Sequence, residues 1–231
     1  MKYVIHTYPK RLWYVTQYLV PSMEKQGIKP SDILILNDNN GYGNLQAFIH
    51  SLDYLTDDCW HLQDDILISK EFKKKTEVLG RMNTVVNGFC HYDFNEGCIL
   101  HKGFAKTKFM YLSFPCIFIP KDIADSFYKW ALKQETKKKY KEIFDSGKQD
   151  DKLFYEFMQT QDYEIYNCYE CLVDHVDYLI GGSSINPRDH QVRAMYWNEN
   201  ELNIELEEKL KEEGKINDKW NKRNIRKVKR W

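Results

Sequence analysis

The sequence lacks an apolar run of the ~20 residues that a membrane-spanning helix needs, so we expect no transmembrane segment. After Met1 and Lys2 it also lacks the apolar core of about 7–15 residues that marks a secretory signal peptide. Charge of one sign is not in excess, because 34 Lys and Arg residues balance 34 Asp and Glu residues. Composition alone therefore indicates neither a membrane protein nor a polyanionic partner. Internal repeats and low-complexity linkers are absent as well.

Cysteine is sparse and scattered, with six residues in 231. They are Cys59, Cys90, Cys98, Cys116, Cys168 and Cys171. Without an export signal we expect reduced thiols, which are typical of a cytoplasmic protein. Cys168 and Cys171 form an isolated CxxC, whereas a zinc site normally has a second closely spaced pair of ligands. Small core residues are the preferred interpretation, and a zinc site shared with Cys90, His91 or Cys98 is the alternative.

The chain does contain enough apolar material for one sizeable core, since 42% of its residues are hydrophobic and 15% are aromatic. A length of 231 residues suits one domain, or one domain with a small appendage. Extensive disorder is not expected at this composition.

The N-terminal part alternates between strand and helix patterns. Apolar runs at 2–6, 33–36 and 60–68 predict buried strands, and apolar residues at helical spacing in 11–26 and 44–55 predict helices. Continuous apolar strands favour a parallel sheet with helices on both faces. The expected fold class is therefore α/β, with a Rossmann-like, mostly parallel sheet flanked by helices. Further predicted elements are helices at 121–144, 151–160 and 199–213 and a strand at 172–180.

Polar residues follow each of the first three predicted strands. They are His6-Thr7, Asn37-Asp38 and Asp64-Asp65. Ligands of open α/β sheets bind outside the carboxyl ends of the strands, so we expect these three clusters to converge on one edge. An acidic pair there suits Mg²⁺ or Mn²⁺, which prefer oxygen ligands and leave positions for substrate phosphates. The alternative for Asp64 and Asp65 is a solvated turn.

The chain resembles the GT-A glycosyltransferases, and more closely the small glycosyltransferase-like proteins of phages and prophages of low-GC Gram-positive bacteria. The stretches that carry the resemblance are Trp60-His61-Leu62-Gln63-Asp64-Asp65, Ser113-Phe114-Pro115-Cys116-Ile117, Leu172-Val173-Asp174-His175-Val176-Asp177-Tyr178 and Arg193-Ala194-Met195-Tyr196-Trp197. Gln63-Asp64-Asp65 stands where such enzymes usually have Asp-x-Asp.

The resemblance implies a GT-A-like catalytic domain over residues 1–197, with a nucleotide-binding half (1–80) and an acceptor half (81–197). Residues 198–231 would form a charged helical extension that ends in a basic C-terminal tail. A phage-encoded protein would act in the host cytoplasm.

For the metal site, the resemblance implies that Asp65 binds Mn²⁺ or Mg²⁺ and that His175 is the later metal ligand. Asp64 would contact the ribose or the sugar of a nucleotide-sugar donor, by family analogy a UDP-sugar. The alternative for His175 is a hydrogen-bonded histidine of the core.

The remaining site residues are assigned in the same way. Asp150 and Asp151, at a predicted helix start, would supply the base that activates the acceptor, and simple N-capping is the alternative. The residues framing the nucleoside would be Thr7, Arg11, Asn37 and Asp38, with Arg11 near the phosphates or base. Arg188 and Arg193 would close over the diphosphate as a lid. Ordinary polar strand ends and solvated arginines are the alternatives for these residues.

The tail 219–231 holds seven Lys or Arg residues and two Trp residues. Such a segment can bind DNA phosphates while its indoles stack on bases, but it can also lie on an anionic membrane or stay solvated. We therefore expect a metal-dependent glycosyltransferase whose acceptor is a hydroxyl on a modified phage DNA base or on a cell-surface glycan. A metal-dependent nuclease and a non-catalytic nucleotide-binding protein are the hypotheses from other classes.

Overall fold

The computed structural model describes residues 1–89, 104–107, 114–147, 149–168, 170–176 and 180, together with 205, 208–210 and 212–213. Arg188, Arg193 and the tail 219–231 lie outside these residues. Within the described part of the chain, no helix has both the length and the apolar content that a bilayer crossing demands. The four cysteines described there, Cys59, Cys116, Cys168 and Cys171, are buried thiols.

Nine strands are described. Their bounds are β1 Lys2–Thr7, β2 Ile33–Asn37, β3 Cys59–Gln63, β4 Ile66–Ile68, β5 Val85–Asn87, β6 Phe104–Thr107, β7 Cys116–Ile119, β8 Ile165–Cys168 and β9 Val173–His175. Seven of them form one sheet in the order β2-β1-β3-β7-β5-β8-β6. Strands β2, β1, β3, β5 and β8 run in one direction, and β7 and β6 run against it.

Helices flank this sheet. Their bounds are α1 Leu12–Tyr14, a π-helical stretch Val15–Leu19, α2 Val20–Lys25, α3 Asn44–Tyr54, α4 Phe72–Leu79, α5 Lys121–Gln134, α6 Lys141–Ser146 and α7 Asp150–Thr160. The predicted α/β class, with a mostly parallel sheet flanked by helices, is confirmed. The helix predicted at 121–144 is divided, because a 3₁₀ turn at Lys138–Tyr140 separates α5 from α6.

The two faces of the sheet have separate cores because side chains alternate along a strand. Tyr3 and Ile5 of β1 share a buried cluster with Trp60 of β3 and with the segment from α1 to α2. On the opposite face, α3, α5 and α7 contribute to a second cluster with residues of β5, β7 and β8. Helices on both faces explain why most of the strands are apolar throughout.

Strand β2 is less buried than its apolar sequence predicts. It lies at the edge of the sheet and pairs in parallel with β1. Leu34 on this strand is 40% exposed. A run of apolar residues does not distinguish an edge strand from a central one, so the prediction of a second buried strand was wrong in this respect.

The strand predicted at 60–68 is interrupted by the acidic pair. β3 belongs to the main sheet, whereas β4 leaves it and pairs antiparallel with β9 in a separate two-stranded sheet. The turn Asp64-Asp65 thus connects two sheets, and it lies beside the strand that carries His175.

The described part of the C-terminal extension packs against the segment from α1 to α2. The residues 205, 208–210 and 212 are helical, as predicted for 199–213. Leu210 is fully buried with Tyr14 and Leu19. The ammonium group of Lys209 lies 5.3 Å from the centre of the Tyr18 ring, in cation–π contact.

Two glycines join the loop after β2 to the turn before α7. Gly43 has a φ of +85°, and a Cβ atom added there would lie 2.7 Å from the carbonyl oxygen of Gly147. The same oxygen accepts a hydrogen bond from the amide of Leu45 (3.0 Å). This contact joins the loop after β2 to the residue that ends α6.

Replacing Gly43 by alanine should destabilise the protein more than replacing Gly41. Both residues have positive φ, and Gly43 combines it with a ψ of 165°, a region essentially restricted to glycine that costs other residues about 1–3 kcal/mol. Only open space surrounds a Cβ at Gly41. The clash with Gly147 should add about 1–3 kcal/mol. The measurement is the free energy of unfolding in urea, and equal losses for Gly43→Ala and Gly41→Ala would contradict the close contact.

Candidate active site at the carboxyl ends of the parallel strands

The acidic pair is buried in the folded chain. Asp64 is 5% exposed and Asp65 is 6% exposed. They follow β3, directly beside the carboxyl end of β1 in the main sheet. The interpretation of Asp64 and Asp65 as a solvated turn is therefore excluded, and the burial of two adjacent carboxylates requires compensating partners.

Arg11 supplies the compensating charge. Its Nη1 atom donates to Asp64 Oδ1 at 2.9 Å and to Asp65 Oδ2 at 2.5 Å. Arg11 is itself only 3% exposed. Asp65 and Asp64 outweigh the effect of burial on the guanidinium and raise the pKa of Arg11 above its usual value. The sequence pattern does not indicate this contact, because Arg11 is 53 residues away from Asp64 in the chain.

Thr7 completes the set of donors around Asp64. It is the last residue of β1, and its Oγ1 donates to Asp64 Oδ2 at 2.9 Å. Three of the four carboxylate oxygens of the acidic pair thus accept hydrogen bonds from Arg11 or Thr7. The convergence of Thr7 and Asp64 at one edge of the sheet is the arrangement predicted from the parallel strands.

His175 lies beside the fourth carboxylate oxygen. Its Nε2 atom is 3.1 Å from Asp65 Oδ1. The pairing of β4 with β9 causes this proximity, because Ile66 is opposite His175 in the ladder. The amide of Val176 also donates to the backbone carbonyl of Asp65 at 2.7 Å. Asp65 and His175, the two residues predicted to bind a metal, are therefore neighbours.

The two carboxylates differ in their affinity for protons. Burial, aided by the charge of Asp65, raises the pKa of Asp64 to about 6, against the opposing influence of Arg11. Burial also disfavours the charge on Asp65, but His175 and Arg11 outweigh it and hold the pKa of Asp65 below its usual value. In this coupled pair Asp65 is the carboxylate that stays ionised, and Asp64 is the one that protonates first.

Tyr14 supports the cluster from the helical side. It is buried, and its hydroxyl donates to the carbonyl oxygen of Ile66 at 2.8 Å, just beyond the acidic pair. Arg11 and Tyr14 are three residues apart, so they lie on the same face of the helical segment. A π-helical stretch follows directly at Val15, and such irregular turns are frequent at functional sites. Tyr14 was not among the predicted site residues.

Asn37 and Asp38 lie at the carboxyl end of β2, as predicted. The amide of Asp38 donates to the carbonyl of Thr7 at 2.8 Å. The carboxylate of Asp38 accepts hydrogen bonds from the amides of Tyr42 and Gly43, and Asn37 donates to the side chain of Asn39. The contacts described for both residues therefore order the loop that follows β2, and a role in framing a nucleoside stays a prediction.

Asp150 and Asp151 lie in the first turn of α7. Burial raises the pKa of Asp150, although its hydrogen bond from the amide of Asp151 opposes the change. Asp151 Oδ1 accepts a hydrogen bond from the amide of Lys152 at 2.7 Å. Each of the two carboxylates thus accepts a hydrogen bond from the amide of the next residue, and the role as acceptor base stays a prediction. The predicted lid residues Arg188 and Arg193 are outside the described residues.

His6, predicted to share the polar edge with Thr7, is instead packed beneath α3. Its Nε2 atom is 3.1 Å from His61 Nδ1, and the rings are stacked at 5.4 Å. Phe48 of α3 contacts both rings edge-on. Burial lowers the pKa of His6 to about 4 and that of His61 well below its usual value. Alternation along β1 explains the difference, since successive side chains face opposite sides of the sheet.

The His6–His61 pair should make stability depend on pH. The unfolded chain takes up protons on these residues below a pH of about 6.5, whereas the folded chain resists, so stability should fall as the pH drops toward about 4. His6→Gln should reduce this loss by about 1–3 kcal/mol, measured by urea unfolding at several pH values. His50→Gln, at an exposed position of α3, is the control and should leave the pH dependence unchanged. Asp64 titrates in both proteins, so its opposite contribution cancels in the comparison.

No protein-family model matches the sequence, and no curated protein matches it. Among solved structures, the fold is similar to that of TarS from S. aureus, with a TM-score of 0.49 and 12% sequence identity. That alignment covers 78% of this chain and 62% of the TarS chain, so this chain spans less than two thirds of that structure. The fold is also similar to that of the galactosyltransferase LgtC, solved with donor and acceptor sugar analogues. The TM-score there is 0.42 and the identity is 13%, over 72% of this chain and 73% of that chain.

Proposed function

We propose that this protein is a metal-dependent glycosyltransferase, with residues 1–197 as its catalytic domain. It would transfer a sugar from a nucleotide-sugar donor, by the sequence resemblance a UDP-sugar, to an acceptor hydroxyl. The observation that carries the proposal is the buried cluster of Asp64, Asp65, Arg11 and His175 at the carboxyl edge of the sheet. Ligands of open α/β sheets bind at this edge.

The donor set of Asp65 and His175 fits a divalent cation. Two ligands about 2.1 Å from one ion, at right angles, lie about 3.0 Å apart, and Asp65 Oδ1 and His175 Nε2 are 3.1 Å apart. Mg²⁺ and Mn²⁺ sites of this kind take few protein ligands and complete their shell with water and substrate phosphates. When bound, the cation would supply Lewis-acid stabilisation of the departing diphosphate.

The other residues of the cluster would prepare the site before the donor arrives. Thr7 and Arg11 hold the Asp64 carboxylate between them, and Arg11 keeps Asp65 oriented. Fixed donors and charges of this kind cost little reorganisation during reaction. Asn37 and Asp38 would form the wall beside the nucleoside through the loop that they order, and Arg188 and Arg193 would close over the diphosphate.

Asp150 and Asp151 are the proposed source of the base. One of their carboxylates would accept the proton of the acceptor hydroxyl as it attacks the anomeric carbon. Burial raises the pKa of Asp150, which moves this carboxyl toward the range in which a general base works best at neutral pH.

A nuclease is less consistent with the cluster. Two-metal phosphodiester cleavage needs several acidic ligands around a pair of ions. In the described parts of the chain, no group of three or more His, Cys, Asp or Glu side chains is placed to hold a metal. Arg11 also neutralises part of the acidic charge that a second ion would require. A non-catalytic binding protein would bind the nucleotide without turnover.

A thermal-shift experiment with UDP-glucose, UDP-galactose, UDP-N-acetylglucosamine and GDP-mannose, with and without Mn²⁺, tests the proposal. A ligand at 100 times its dissociation constant stabilises the native state by about 2.7 kcal/mol, so we expect Tm to rise by several degrees with one donor. The rise should disappear with chelator and in Asp65→Asn. Asp53→Asn, at an exposed position of α3, is the matched control and should respond like the wild type.

Two outcomes would contradict the proposal. The first is an unchanged Tm with every nucleotide sugar, with and without Mn²⁺. The second is cleavage of plasmid DNA that depends on Mg²⁺ and is lost in Asp65→Asn, because that result would assign the cluster to a nuclease. Donor binding without donor hydrolysis or transfer would support the non-catalytic alternative.

For the acceptor, the proposal is a hydroxyl on a modified DNA base. It rests on the tail 219–231, whose seven cations and two tryptophans suit contacts with phosphates and stacking on bases. A cell-surface glycan or wall polymer is the competing acceptor. The assays that separate the two are transfer to hydroxymethylated DNA and transfer to cell-envelope acceptors.

Deleting residues 219–231 should lower transfer to hydroxymethylated DNA while leaving donor hydrolysis unchanged. The loss should be greatest at low salt, where phosphate contacts contribute most to binding. The control replaces Lys137 and Lys138 by glutamine, which removes exposed cations elsewhere on the surface. Unchanged transfer to DNA by the truncated protein would exclude the proposed role of the tail.

A further inference from the structure

We infer that Arg11 makes the site selective for Mn²⁺ and Mg²⁺ over Ca²⁺, because it restricts Asp65 to a single carboxylate oxygen for cation binding. This inference rests on the proposed function, since it concerns the same cation. It assigns Arg11 a positioning role in place of the predicted contact with the donor phosphates or base.

The four carboxylate oxygens of the acidic pair have different neighbours: three accept hydrogen bonds from Arg11 or Thr7, and the fourth lies beside His175. Arg11 Nη1 bridges Asp64 Oδ1 and Asp65 Oδ2, and Thr7 donates to Asp64 Oδ2. The remaining oxygen, Asp65 Oδ1, faces His175 Nε2 at 3.1 Å. A cation between these last two atoms would meet Asp65 through Oδ1, while Arg11 keeps Oδ2 turned away.

Several contacts fix the position of Arg11, so that its hydrogen bond to Asp65 Oδ2 is maintained. Its amide donates to the carbonyl of Tyr8 at 2.9 Å, and its own carbonyl accepts from the amides of Tyr14 and Val15. Its guanidinium lies 5.4 Å from the centre of the Tyr8 ring and is almost completely buried. A buried guanidinium that bridges two carboxylates is held in place both by its charge and by the fixed directions of its N–H groups.

Binding through a single oxygen of Asp65 should favour Mn²⁺ and Mg²⁺ over Ca²⁺, because these cations differ in how they bind carboxylates. Ca²⁺ takes about six to eight oxygen ligands at about 2.3–2.6 Å and often binds a carboxylate through both oxygens. Mg²⁺ demands six ligands at about 2.0–2.1 Å and is satisfied by single carboxylate oxygens, water and phosphates. His175 adds a nitrogen ligand, which suits a transition metal such as Mn²⁺ better than Ca²⁺. Freeing Asp65 Oδ2 should therefore favour Ca²⁺ more than the smaller ions.

The test measures cation binding directly, with UDP at a fixed concentration as the second ligand. Titrations of Mn²⁺, Mg²⁺ and Ca²⁺ are followed by isothermal calorimetry and by Tm, so no transfer reaction is needed. We expect wild-type protein to bind Mn²⁺ more tightly than Ca²⁺ by at least about tenfold. In Arg11→Met this ratio should shrink by about tenfold, and in Arg11→Lys, which offers one point charge, by less.

Two further variants separate positioning from stability. Arg11→Met leaves two buried carboxylates without their counter-charge, so the double variant Arg11→Met/Asp64→Asn restores the charge balance while Asp65 Oδ2 stays released. Its ratio of Mn²⁺ to Ca²⁺ affinity should remain as reduced as in Arg11→Met. Arg81→Met makes the same chemical change at an exposed position and should keep the wild-type ratio.

The outcomes distinguish this inference from the proposed function. A wild-type ratio in the double variant would overturn the inference and leave the metal site intact, because Arg11 would then act only through its charge. No binding of any of the three cations to the wild-type protein with UDP would overturn the metal-dependent function, and the inference with it.

Discussion

The ion pair between Arg11 and the two carboxylates is the interaction on which the whole site depends. Each of these charged groups is almost completely buried, and removing one from water costs several kcal/mol unless a partner repays it. A single guanidinium stabilises both carboxylates because its fixed N–H groups reach one oxygen of each. Asp64 and Asp65 can therefore lie side by side within the fold.

The strand order explains why these partners meet. Thr7 ends β1 and Asp64 follows β3, and the two strands are parallel neighbours, so their carboxyl ends share one edge. Beyond Asp65 the chain leaves the main sheet, and β4 pairs with β9. This pairing places His175 beside Asp65. The acidic turn is thus a junction between the main sheet and a strand from the later part of the chain, and the proposed cation would connect the two.

The apolar patterns of the sequence predicted those elements whose position depends on burial of their own residues. Strands β1 to β3, the helices between them and the meeting of Thr7 with Asp64 follow from apolar runs and from the geometry of parallel strands. The pairing of Asp65 with His175 came from the family resemblance. Periodicity could not predict that β7 runs against its neighbours or that β2 lies at the edge, because an apolar run carries no information about which strands pair. The ion pair of Arg11 was not predicted for a related reason: a contact between residues that are distant in the chain leaves no local signature.

Stability alone does not account for this cluster. Buried ion pairs are often no more stabilising than apolar residues of similar volume, and the rest of the sheet is packed with such residues. The charged cluster lies at the carboxyl edge, where ligands bind in this class of fold. Its two carboxylates also differ: Asp65 stays ionised, and the pKa of Asp64 is raised to about 6. An ionised oxygen beside an imidazole nitrogen is what a cation requires, and the proposed cation binding would therefore account for a charged cluster at this edge.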